Sequence, residues 1–359
     1  METYNQVTTR QTLLAPGPDW DETLTRFHKC GLDDIYFDHR YFHLYANDAN
    51  SVRAFVFDDK NGLFCLPFIC SKISDDYTET DTYDFETAYG YTGPLSTTDN
   101  PDFLKSAWRA FQGYCRDTKI VVGLLRFHPL LENQRFIDPS AVSLFKDRKT
   151  VFMDLDQSED SVWNGYSSEN RNKIRKSIKS GVHVKCSSDY EALTIFSSLY
   201  ERHMSELNAE DIYFFGENYF KNILSLGADR FKVYLAERNG EIIGGALILM
   251  SNRFVHYHLS SSLREQFKFA PNNFLRHSVI LDFLNKKWES IHFGGGRSAD
   301  ENDSLYRFKK QFSKQVAQFH IGRFVADNDL YQKIRRIWSK RHPNSKDAFG
   351  NRILCYRYF

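Results

Sequence analysis

Two Asn-Gly pairs, Asn61-Gly62 and Asn239-Gly240, stand 178 residues apart inside the same local pattern, and that repetition constrains the fold more than any other feature of the chain. Residues 53–70 read RAFVFDDKNGLFCLPFIC, and residues 231–250 read FKVYLAERNGEIIGGALILM. Each is a β-rich run, a charged turn and a second β-rich run, which predicts a hairpin. The order of elements then repeats: a second strand region (83–91; 253–260), a helix opened by Pro101 or Pro271, and an apolar strand (120–127; 290–293). In the first helix Phe103, Leu104, Ala107, Trp108, Phe111, Tyr114 and Cys115 share one face at the helical period. The second, through Phe274, Leu275, Val279, Ile280, Phe283 and Leu284, reads as more buried. Two copies of one α/β (α+β) unit are expected, each a mixed central sheet flanked by helices. At the same offset Pro67 falls on Gly245, each inside an apolar second strand. Proline cannot donate to a ladder and glycine marks bulges or close approach, so both strands are expected to splay there and free N–H groups for a ligand.

A boundary near residue 150 divides the chain into an N-terminal domain (1–150), a C-terminal domain (151–325) and a basic, aromatic tail (326–359) with a short helix around Leu330 to Lys340. With 359 residues, 42% of them hydrophobic and 16% aromatic, two ordinary cores can be built and disorder is not supported. The net charge of +1 gives no global attraction to nucleic acid, so DNA is not an expected partner and anion binding must come from local patches. The start METYNQVTTRQTLL lacks a basic lead and an apolar core, and no apolar run is long enough to span a bilayer. Six cysteines without CxxC spacing predict reduced thiols, a cytoplasmic location and no metal site.

The chemistry concentrates in IHFGGGRSADENDSLYRFKKQF, residues 291–312. After a strand-like entry containing His292, Gly294, Gly295 and Gly296 let a ligand approach the main chain. Tyr306, Arg307, Phe308, Lys309 and Lys310 then alternate aromatic and cationic groups, a mixture suited to an anionic or acyl-bearing substrate. An amphipathic helix with solvated lysines is the competing reading. Amide formation needs an uncharged amine, a stabilised oxyanion and a protonated leaving group. For these tasks Lys309 or Lys310 is the candidate oxyanion stabiliser, backbone N–H groups around Gly244-Gly245 face the acyl carbonyl, and His256, His258 or His292 is the candidate base. Asp300, Glu301 and Asp303 are alternatives. Asn272 and Asn273 open a helix whose N–H groups suit an anion. The predicted helix after Ser167 or Ser168, ended by Gly181, carries Arg171, Lys173, Arg175, Lys176 and Lys179, which offer a surface for phosphates or RNA or simply a solvated face.

With the tandem units, the segment Tyr89-Gly90-Tyr91-Thr92-Gly93-Pro94, the Asn170-Arg171 to Arg175-Lys176 helix and the FGGG…LYRFKKQF stretch in that order, residues 35–325 resemble the Fem-type acyltransferases. The resemblance implies two tandem GNAT-like acyltransferase domains. It makes Lys309 and Lys310 candidates beside the reacting amine, and Tyr89 and Tyr91 candidates bordering the acceptor site. Members include peptidoglycan bridge enzymes that use aminoacyl-tRNA and an acetyltransferase-like group. Here Leu95-Ser96-Thr97 replaces the Asp that commonly follows the Gly-Pro, and residues 190–220 are too short for the long helical hairpin of the bridge enzymes. The expectation is an N-acyltransferase acting from an acyl-CoA donor on an amino group of a cell-envelope precursor or nucleotide-linked amino sugar, at most peripheral to the inner membrane. A tRNA-dependent aminoacyltransferase and an idle binding module are the alternatives. The stretch Arg264 to Ala270 lacks the glycines of the usual GNAT phosphate-binding pattern.

Overall fold

The computed structural model describes residues 9–46, 51–210 and 213–359, so most of the amino-terminal stretch read above, residues 1–8, lies outside the described residues. The chain divides into two units. Unit 1 holds β1 (Arg10–Leu14), α1 (Pro18–His28), α2 (His39–His43), β2 (Val52–Asp59), β3 (Gly62–Lys72), β4 (Tyr83–Glu86), β5 (Leu95–Ser96), α3 (Pro101–Asp117) and β6 (Ile120–Arg126). The chain crosses into unit 2 within β7 (Val142–Asp154). There follow α4 (Glu159–Gly165), α5 (Ser168–Lys179), β8 (His183–Ser187), α6 (Tyr190–Glu206), α7 (Gly216–Ile223), β9 (Phe231–Arg238), β10 (Glu241–Met250), β11 (Phe254–Ser262), α8 (Pro271–Phe283), β12 (Ser290–Gly295) and α9 (Ser304–Lys310). It returns to unit 1 within β13 (Val316–Val325) and closes with α10 (Asn328–Arg341). Residues 33–35 pack with unit 2 and residues 319–359 with unit 1, so the segment expected as a tail is part of the first unit.

Both hairpins form. In unit 2, Asn239 and Gly240 are the two turn residues between Arg238 and Glu241, both at positive φ, as a two-residue hairpin turn demands. In unit 1 the turn is Lys60-Asn61, and Gly62 is already the first residue of β3, opposite Asp59. The Asp59 carboxylate accepts the Asn61 N–H at 2.6 Å, and a Cβ on Gly62 would meet Thr98 Cγ2 at 2.7 Å. Counted from the turns, Pro67 therefore corresponds to Ala246.

The expected interruption holds in unit 1. One side of β3 pairs β5 through Phe64 and Cys65 and β4 through Ile69 to Lys72, with Pro67 between these two ladders. Unit 2 differs. Gly244 and Gly245 are paired on both sides, to Ala236 and Leu235 of β9 and to Ser262 and Ser261 of β11, and the register shifts fall on either side of them, at Ile242/Gly244 against β9 and at Leu247/Ile248 against β11. The glycines admit helices instead: a Cβ on Gly245 would meet Phe196 of α6 at 2.8 Å, and one on Gly244 would meet Leu275 of α8 at 3.2 Å. The unit 2 sheet opens elsewhere, between β11 and β12. Their parallel ladder joins only Phe254, Val255 and His256 to Ser290, Ile291 and His292; β11 runs on to Ser262, while Gly294 and Gly295 pair with β7.

Asn100 caps α3 through its side-chain oxygen, which accepts the Asp102 and Phe103 N–H groups, and Pro101 takes the first turn where no N–H is needed. Its apolar face buries Phe103, Leu104, Ala107, Trp108, Phe111 and Cys115. In the second copy α8 buries Leu275, Val279, Ile280 and Phe283. The last segment buries Tyr331, Ile334 and Trp338 with Val121 and Val122 of β6, and Arg357 and Tyr356 both reach the buried Asp84 carboxylate. Among the described residues no helix is long and apolar enough to cross a membrane.

Candidate active site

The glycine stretch and the following helix form one constellation in unit 2. Gly294 sits at φ 73°, a conformation that costs a side-chained residue strain, at the register shift after which β12 continues its pairing with β7. Asp303 caps α9, its Oδ1 accepting the N–H groups of Leu305 and Tyr306 at 2.9 Å each. The loop carbonyls are held by cations from two elements. Arg148 of β7 donates from Nη1 to the oxygens of Gly296 (3.0 Å) and Arg297 (2.9 Å), and Lys309 Nζ donates to Gly295 O at 2.7 Å. A Cβ on Gly296 would meet Asp303 Oδ1 at 2.5 Å, so the missing side chain is what lets the loop close on the helix cap.

The two candidate lysines part company here. Lys309 turns to the glycine loop, whereas Lys310 donates to Lys314 O at 2.8 Å in an exposed contact. Burial pushes the Lys309 amine down to about 7; Arg276 and Arg148 push the same way and Asp303 opposes them. Such an amine is shared between its charged and neutral forms near neutral pH. Lys310 is also lowered, by burial and by Lys149, against Glu301. Tyr306 is buried and Arg307 is exposed.

The histidines of β11 are committed to other contacts. His256 Nε2 lies 2.7 Å from Asp34 Oδ2, both side chains fully buried, and its ring is 5.7 Å from that of the buried His292. His258 Nε2 lies 2.6 Å from the Tyr219 hydroxyl, and burial with the nearby His256 pushes its pKa down to about 3. A group that weakly basic is poorly matched to deprotonating an ammonium at neutral pH. Gly244 and Gly245, inside a sheet paired on both sides, do not present the open N–H edge expected of them.

Asn272 donates to Ser262 Oγ at 2.8 Å, and Asn273 to Asn170 Oδ1 at 2.9 Å, so both tie the start of α8 to its surroundings. That helix begins after Ala270, at φ 51°, with no side-chain cap. Ser167 caps α5, accepting the Asn170 N–H at 3.1 Å. On α5, Arg171 donates to Tyr166 O at 2.5 Å and Arg175 stacks 5.2 Å from the Trp163 ring, while Lys173 pairs with Glu169 at 2.6 Å. The two arginines thus join α5 to α4 and its C-cap residue Tyr166, Arg171 half-buried and Arg175 exposed.

In unit 1, Tyr89 and Tyr91 flank a tight segment. The Tyr41 hydroxyl donates to Tyr89 O at 2.7 Å, and the Tyr91 ring lies 5.7 Å from Tyr36 and 5.2 Å from Phe319. Asn133, fully buried, holds the segment from outside it: Nδ2 donates to Thr92 O (2.6 Å) and Pro94 O (2.9 Å), and Oδ1 accepts the His128 N–H at 2.7 Å. Sequence reasoning missed Asn133, Arg148, Asp34 and Arg276. Only Arg276 carries a local signal, a charge within the apolar run of α8.

Residues 168–310 match the family model of an acetyltransferase (GNAT) domain. Over 211 residues the chain is 25% identical to UDP-N-acetylmuramoylpentapeptide-lysine N(6)-alanyltransferase of Weissella viridescens, a match covering 56% of this chain and 60% of that protein. The chain thus spans less than two thirds of the curated relative it matches. Among solved structures, FemX aligns with a TM-score of 0.64 at 15% identity, over 84% of this chain and 93% of FemX. The L-PGS of Bacillus licheniformis aligns at 0.56 and 11% identity, over 89% and 95% of the two chains. At such identities the structural matches speak for the fold, and that fold is the tandem GNAT-like one. Together these similarities support a Fem-like acyltransferase superfamily for this chain.

Proposed function

We propose that this protein forms an amide bond by passing an aminoacyl group from aminoacyl-tRNA to the free amine of a nucleotide-linked peptidoglycan precursor, with Lys309 as the proton-handling group. The observation that carries the reading is Lys309 itself: an amine pushed to about 7, held 2.7 Å from Gly295 O inside the region that matches a GNAT domain. The attacking amine adds to the ester carbonyl, a C–N bond forms, and the C–O bond to the ribose breaks. Neutral Lys309 takes the proton released by the amine, and the resulting ammonium returns it to the departing ribose oxygen.

Two features support a tRNA ester over a CoA thioester as donor. Between β11 and α8, Arg264–Phe269 coil into a 3-10 turn in which the Gln266 N–H bonds Leu263 O and the Ala270 N–H bonds Phe267 O. Those donors are spent internally, where a glycine-rich phosphate loop would aim them at a pyrophosphate. The matched relative is moreover named as an alanyltransferase acting on UDP-N-acetylmuramoylpentapeptide-lysine. On this reading Arg171 and Arg175 meet donor phosphates, and Tyr89 and Tyr91 border the acceptor. Acyl-CoA is the second reading, favoured by the GNAT domain match at 168–310.

The test is direct. Purified protein is incubated with UDP-N-acetylmuramoyl-pentapeptide and, separately, with a panel of aminoacyl-tRNAs or acyl-CoAs, and the acceptor is weighed by mass spectrometry. A gain of one aminoacyl residue from tRNA is expected. A gain from CoA alone would transfer the proposal to the second reading, and no gain from any donor would overturn both.

A further inference from the structure

Arg276 is the most unusual charge in unit 2. It is 2% exposed, on the sheet-facing side of α8, and its Cζ lies over four aromatic rings: Tyr257 at 4.3 Å, Phe308 at 4.9 Å, Phe312 at 5.1 Å and Phe293 at 5.3 Å. Its Nε and Nη1 are buried and have no hydrogen-bond partner, and among the described residues no carboxylate stands within ion-pair distance of it. A guanidinium stays protonated even when burial lowers its pKa, as it does here. The ring faces accommodate that charge through their quadrupoles without cancelling it. A carboxylate partner would have quenched the field at neighbouring sites; aromatic faces leave it standing in a low-dielectric surrounding.

One of the rings against Arg276 belongs to Phe308, the residue before Lys309. We propose that Arg276 is a positioning residue for Lys309, a fixed cation caged by aromatic rings so that its uncancelled field falls on the lysine amine. The assignment rests on the reading of Lys309 given above and adds the group that sets its behaviour. A nearby like charge disfavours the ammonium and so favours the neutral amine. The other charged groups bearing on Lys309 are Asp303 at the α9 cap, which opposes Arg276, and Arg148 of β7, which adds to it; Tyr257 and Tyr166 bear on Arg276 itself. Burial of Lys309 is a separate and larger cause that removing Arg276 leaves in place. Losing the cation therefore raises the midpoint in part only.

The test needs no transfer activity, so it can fail independently of the proposed reaction. Wild-type protein is pulsed with trace acetic anhydride across pH 5–11, and the acetylation of Lys309, relative to exposed lysines, is read by peptide mass spectrometry. The neutral amine alone reacts, so the midpoint reports its titration. In wild type it is expected near pH 7, and in Arg276→Met higher by roughly one pH unit. Thermal melts check that each variant is folded, and Arg276→Gln replaces the methionine variant where it is not. An unchanged midpoint in a folded Met or Gln variant would overturn the proposal, and so would a wild-type midpoint equal to that of surface lysines.

Discussion

Asn133 illustrates how one side chain can build a site without touching it. Its three hydrogen bonds all go to backbone groups around the segment from Thr92 to Pro94, and nothing in its own sequence neighbourhood marks it. Replacing it by alanine strands a His128 N–H and two carbonyls in the interior. Asn133→Ala is expected to destabilise unit 1 by about 2–3 kcal/mol, read as faster amide hydrogen exchange over residues 89–94; exchange unchanged from wild type would contradict that role. The lysines carry the opposite lesson. The Lys309-Lys310 pair was legible as a cationic feature, but which lysine faces the loop depends on the direction each takes from a single helical turn. Lys309 reaches back to Gly295 O and Lys310 forward to Lys314 O, a distinction no residue type carries.

Among the elements, the hairpins, the proline-started helices and the capped α5 follow local rules and were legible as such. The strand interruption was legible in one copy only, and the reason is chemical. Proline lacks an N–H and cannot serve a second neighbour, so β3 parts its partners at Pro67. Glycine keeps its N–H, so β10 stays in its sheet, and the missing side chain serves packing against α6 and α8 instead. Gly245→Ala would drive a methyl to 2.8 Å from Phe196 Cδ2, in a core where Phe196 is itself fully buried. A loss of about 1–3 kcal/mol is expected from overpacking, measured as a lowered midpoint in denaturant unfolding. An unaffected midpoint would show that α6 yields at that contact. The opening of the sheet between β11 and β12, which places the glycine loop, came from no residue type but from how far a parallel ladder extends.

For the whole molecule, the repeat spaced by 178 residues announced two related units, while the chain's assignment to them depended on contacts far apart in sequence. Residues 33–35 join unit 2, where Asp34 meets His256 across 222 positions; the last segment joins unit 1, where Tyr356 meets Asp84 across 272. Periodicity reports local order and is silent on such pairings. In the proposed reaction Lys309, set at the glycine loop, handles the proton in amide formation and its neighbour Lys310 does not. The most direct measurement compares the transfer rates of Lys309→Ala and Lys310→Ala with wild type, on donor and acceptor chosen by the mass assay, with melting temperatures confirming that all three are folded. A loss of roughly 10²–10⁴-fold is expected for Lys309→Ala and a rate within a few-fold of wild type for Lys310→Ala. Wild-type transfer by Lys309→Ala would contradict it.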